Sequence, residues 1–212
     1  HLSIRRQRQM CIRDRDNWVS KAITPPENQI PTNSKGTLVD FKYWKSQFPK
    51  NPKLVTPQAP NKLFIYDYGP KADHGIFDTL PPRKIQNCNY VIKVPSVDED
   101  GNELAGIRVP MLGAPLATYT GWNIRSRNFG EGAMHEFSGS TLIFPETDAV
   151  RRMTNDPRKS MEERYKSKHN YLMKISAAAT DLIKEGFMLE EDFNKVIDLA
   201  QDWCSKRHDI RL

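Results

Sequence analysis

Apolar and polar positions along this 212-residue chain follow two rhythms, with the change near residue 150. In the second part, Leu172, Ile175, Ala179, Leu182 and Ile183 recur at the spacing of one helix face. Phe193, Val196, Ile197, Ala200, Trp203 and Cys204 do the same further on. Ser160 and Glu163, just after Asp156-Pro157, form a capping-box pair, in which a hydroxyl and a carboxylate satisfy the first free amides of a helix. Gly186 is placed to end the first long helix, because glycine accepts the left-handed backbone of a helix terminus. Two amphipathic helices joined by GFML are therefore predicted to form a hairpin.

The first part reads in short runs. LFIYDY (63–68) and NYVIKVPSV (89–97) are rich in aromatic and β-branched residues and predict strands. The second runs into Asp98-Glu99-Asp100-Gly101-Asn102 and returns as ELAGIRVP (103–110), which predicts a β-hairpin turning at Asp100-Gly101. The acidic run is read as a turn and not as a calcium loop, because Glu103 and Val109 occupy the slots that need Gly and Glu. Further short strands are predicted around GTLVDF, ATYTGW and STLIF. DNWVSKAI (16–23) reads as the last turns of a helix stopped by Pro25 and Pro26. Seven prolines between 25 and 60 predict an extended connector, of a length unusual in a small self-contained domain.

The predicted class is α+β, divided into a basic end (1–15), a terminal helix with connector (16–60), a β-rich extension (61–150) and a two-helix C-terminal hairpin (151–212). No apolar run of about 18 residues is present, so no membrane-spanning helix is expected. The net charge of +6 points toward nucleic acid only until it is located. Residues 1–15 carry Arg5, Arg6, Arg8, Arg13 and Arg15 against Asp14, and the rest of the chain is close to balanced. A folded nucleic-acid module would spread its basic residues over one face, so no nucleic-acid partner is expected. The string RRQRQMCIRDR resembles translated read-through of a sequencing adapter. The alternative is a basic arm that meets phosphate or an acidic surface.

Candidate chemistry is sparse. No G-x-S-x-G turn is present to expose a serine nucleophile, and Gly130-Glu131-Gly132-Ala133-Met134-His135 stops short of a dinucleotide fingerprint. Cys11, Cys88 and Cys204 form no metal-ligand cluster, and Cys88 and Cys204 are expected to be buried free thiols unless the fold brings them together. His74, His169 and His208 are expected on exposed loop or helix surfaces. His135, near Glu136 and Ser140, is the best placed for acid–base work, yet no activated nucleophile stands beside it. No cofactor or metal is expected, and no catalytic residue is assigned. The Gly- and Pro-rich stretch 106–125 contributes Tyr119, Trp122, Asn123 and Arg125, which form either a substrate-cleft wall or a buried structural loop.

Five strings taken together carry a resemblance: GTLV (36–39), FDTLPP (77–82), VPSVDEDGNELAGIRVP (94–110), APLATYTGWNIR (114–125) and DPRKSMEERY (156–165). In this succession the chain resembles the C-terminal part of a large bacterial family of alpha/beta hydrolase domain-containing proteins, over roughly residues 16–205. The resemblance implies an esterase-like protein whose nucleophile turn, acid and histidine all lie upstream of residue 16. It further implies that this portion, alone, is inactive. The implied partners are the N-terminal part of the hydrolase domain and, in the complete protein, a small ester. Met111-Leu112-Gly113 and His135-Glu136 depart from the usual family pattern, which weakens any special role for His135. The competing reading is a non-catalytic binding or interaction module.

Overall fold

The capping signal at Ser160 is built as the sequence suggests. Its hydroxyl accepts from the Glu163 amide at 3.2 Å, and the Glu163 carboxylate accepts from the Ser160 amide at 2.8 Å. The computed structural model describes residues 2–51, 55–60, 63–135 and 137–206, with residues 2–8 and 203–206 described by backbone alone. In chain order the elements are α1 (Leu2–Lys21), β1 (Leu38–Asp40), α2 (Phe41–Gln47), β2 (Phe64–Asp67), β3 (Arg83–Asn89), β4 (Lys93–Pro95) and α3 (Pro110–Gly113). There follow β5 (Ala117–Thr120), β6 (Asn123–Ile124), β7 (Met134–His135), β8 (Ser140–Ile143), α4 (Asp148–Met153), α5 (Met161–Tyr165), α6 (Lys168–Lys184) and α7 (Phe193–Lys206). The described strands pair as four separate antiparallel two-stranded sheets: β1 with β4, β2 with β3, β5 with β8, and β6 with β7. The α+β class is what the structure shows.

The core sits where β5, α3, α5, α6 and α7 meet. Leu116, Phe144, Met161, Tyr165, Tyr171, Ile175 and Ala200 are buried in one cluster. Tyr171, Ile175, Ala179 and Leu182 form the buried stripe of α6, and Ser167 caps that helix by accepting from the Asn170 amide at 3.2 Å. Gly186 follows the helix end with φ +80°, in the left-handed conformation anticipated for it. Tyr165 buries its ring and donates its hydroxyl to the Pro115 carbonyl at 2.6 Å, so the core polar atom is satisfied.

Several local expectations need correction. The acidic turn forms, with Asp98 Oδ1 accepting from the Asp100 and Asn102 amides, but ELAGIRVP does not return as a strand. The turn is closed by one bridge, Val97 to Glu103, with the Leu104 amide donating to the Ser96 carbonyl, while β4 pairs with the distant β1. The connector contains a helix, α2, that its prolines concealed. The helix predicted over 16–23 begins at Leu2 and includes the basic stretch, where Gln9 and Arg13 donate to the Glu191 carboxylate at 2.9 and 2.6 Å. Cys88 lies on β3 as an exposed free thiol and is not buried, and the side chain of Cys204 lies outside the described residues.

Candidate functional site

The site builds from α2. Phe41, Trp44 and Phe48 recur at helical spacing and turn one aromatic face inward, leaving Trp44 and Phe48 buried. Phe41 stacks on Trp44 with ring centres 5.5 Å apart and planes at 17°. Trp122 meets Trp44 nearly edge-on, at 6.0 Å and 73°, and lies 6.1 Å from Phe48. The acidic turn closes over this group. Gly101 has φ +82°, and a Cβ there would come within 3.0 Å of the Phe48 ring and of the Thr118 methyl. Between these rings lies a cavity of about 180 Å³, also lined by Met134, Glu103 and the rigid edges of Pro57, Pro60 and Pro95.

A buried polar network holds β5, two residues before Trp122, whose carbonyl accepts from the Thr120 hydroxyl at 2.6 Å. Arg158 is fully enclosed, with Nε and Nη2 donating to Asp156 at 2.9 and 2.7 Å. Its Nη1 donates to Thr118 Oγ1 and to the Leu142 carbonyl, both at 2.8 Å, which ties β5 to β8. Asn51 adds a bond to Asp156 at 2.7 Å from the end of the connector. Asn102 donates to the Ala117 carbonyl at 3.1 Å and accepts from the Tyr119 amide at 2.8 Å. Arg164 makes a two-point ion pair with Asp100.

The electrostatics differ between these acids. Burial works to raise the Asp156 carboxyl, but the bonds from Arg158 and Asn51 outweigh it and hold its pKa below the ordinary Asp value. At Asp100 burial wins over the Arg164 pair and lifts the carboxyl above its ordinary value. Glu103 is an exposed residue, yet partial burial of its side chain raises its carboxyl above the ordinary Glu value.

Of the four residues predicted to wall a cleft, Trp122 lines the cavity, and Tyr119 is half-buried on β5 outside its lining. Asn123 and Arg125 are exposed at β6; the Asn123 carboxamide oxygen accepts from the neighbouring Ile124 amide at 2.8 Å. His135 pairs opposite Asn123 on β7, and its Nδ1 accepts from the Phe137 amide at 3.4 Å. No serine or threonine hydroxyl bonds to His135 among the described residues; Glu136 and His208 lie outside them. His74 and His169 are exposed. The acids of the 98–100 turn accept from amides and arginines, and among the described residues no group of three candidate ligands could hold a metal ion. Sequence reasoning missed Phe41, Trp44 and Glu103 as cavity residues; the aromatic spacing in FKYWKSQF was the signal that could have found the first two.

No helix among the described residues is long and apolar enough to cross a membrane. No curated protein and no solved structure matches the chain. A family model described as an alpha/beta hydrolase domain matches residues 6–198, nearly the whole length. The chain belongs to the alpha/beta hydrolase domain family.

Proposed function

We propose that this chain is the C-terminal portion of a larger esterase-like alpha/beta hydrolase, and that alone it does not turn over esters. In the complete protein a serine supplied from upstream would attack a small ester, a histidine would carry the proton, and backbone amides would hold the oxyanion. The observation that carries the reading is the match over residues 6–198 combined with the sheet arrangement. A nucleophile turn stands where a strand of a parallel sheet runs into a helix, and the described strands here pair only as antiparallel ribbons. The role left to this portion is to shape the cleft, with Tyr119 and Trp122 as its contacting surfaces and the N-terminal hydrolase part as its partner. The apolar side chains displayed around β2 and β3 support such a partner, because surfaces of that kind are uncommon on a self-contained protein.

The test is hydrolysis of p-nitrophenyl acetate and butyrate by the full chain. Rates equal to the buffer background are expected. Enzymatic turnover that disappears in the His135→Ala variant would overturn the proposal and place the catalytic machinery within these residues.

A further inference from the structure

The cavity beside Trp122 combines aromatic rings, three prolines and a single carboxylate. Three aromatic rings line it in two orientations, Phe41 and Trp44 nearly parallel and Trp122 almost perpendicular to them. A guest there lies against rings of two orientations. The faces of aromatic rings carry negative electrostatic potential and attract cations whose charge is spread over methyl or methylene groups. One carboxylate, Glu103, shares the lining, and among the described residues no cation pairs with it. Arg108 lies close by but donates to the Glu103 backbone carbonyl and to Asp98, not to the Glu103 carboxylate.

We propose that this cavity binds a small organic ammonium ion of the quaternary or methylated type, seated against Trp44, Trp122 and Phe41 and paired with Glu103. Size agrees with a single headgroup: about 180 Å³ is smaller than the ~300–1,000 Å³ of sites for drug-sized ligands. The three prolines of the lining keep the walls rigid, and the Met134 thioether adds a polarizable surface. A hard metal cation does not suit the lining, since calcium needs about six to eight oxygen ligands and Glu103 is the one carboxylate present. A neutral apolar guest gains nothing from the Glu103 carboxylate, whereas a cation does.

Isothermal calorimetry on the full chain tests this with choline, tetramethylammonium, and 3,3-dimethylbutan-1-ol, the uncharged isostere of choline. Saturable one-site binding of both ammonium ions is expected, with the alcohol about tenfold weaker. Glu103→Gln and Trp122→Leu are each expected to weaken choline by about tenfold, with the thermal unfolding midpoint checking that each variant folds. If Trp122→Leu does not fold, Glu103→Gln and the choline–alcohol pair carry the test. An alcohol that binds as tightly as choline would show an apolar slot and overturn the proposal. So would choline affinity unchanged in Glu103→Gln, or no saturable binding of either ammonium ion. The readout is binding without ester, so it stands or falls apart from the hydrolase reading.

Discussion

Two regions of the molecule invert the usual placement of side chains. Around β5 and β8 the structure encloses charge: Arg158 is 2% exposed and Asn102 fully buried, yet both are bonded to carbonyls, carboxylates or amides. Around β2 and β3 it displays apolar groups, with Val91 at 82%, Leu80 at 72% and Tyr90 at 58% exposed, and every residue of β3 on the surface. The first region has traded hydration for internal bonds and is complete as it stands. The second has apolar surface and two open strand edges, with no layer among the described residues that buries them. Burial pattern, more than residue type, separates the two regions.

The largest expected effect comes from breaking the enclosed charge. Arg158→Ala leaves Asp156 buried without its cation and should cost ~3–5 kcal/mol, read as a fall in the urea midpoint. Removal of the pair as a whole, by Arg158→Met with Asp156→Leu, should cost far less, since no charge is stranded. The same pair governs acid sensitivity. Because the folded Asp156 pKa lies below its unfolded value, its contribution is full above the ordinary Asp range and is lost as pH falls through the lowered folded value. That acid limb should flatten in the Asp156→Asn variant, measured by unfolding midpoints across pH.

A smaller effect is expected at the seam between the acidic turn and the aromatic group. Gly101→Ala forces a side chain into a left-handed conformation with Phe48 and Thr118 already 3.0 Å away, at about 1–3 kcal/mol. It should also disturb the Trp122 surroundings, visible as a change in tryptophan emission. The smallest effect belongs to the ribbon. Leu80→Ser together with Val91→Ser should move stability by no more than about 0.5 kcal/mol, while reducing light scattering in concentrated solution.

What could be read from the sequence follows the range of the interactions concerned. The Ser160–Glu163 box, the Gly186 terminus and the β5 and β8 strands were legible because each depends on residues within a turn or on simple alternation. The pairing of β4 was not, because its partner β1 lies more than fifty residues earlier, and the return predicted at 103–110 stops after one bridge. Helix α2 was hidden by the prolines on either side, although Phe41, Trp44 and Phe48 already had helical spacing. Nothing local marks Asp156 and Arg158 as buried; their enclosure depends on Asn51 and Thr118, which arrive from distant parts of the chain. At the site, Trp122 was found by composition, and its companions Trp44 and Glu103 came into view once the fold had brought them together.

Hydrogen–deuterium exchange on the intact chain tests the contrast between the two regions most directly. Slow exchange is predicted at the amides of β5, β8, α5 and α6, where bonded charge and the core coincide, with fast exchange along β2 and β3. A ribbon protected as strongly as the body, or a body that exchanges as fast as the ribbon, would contradict the account.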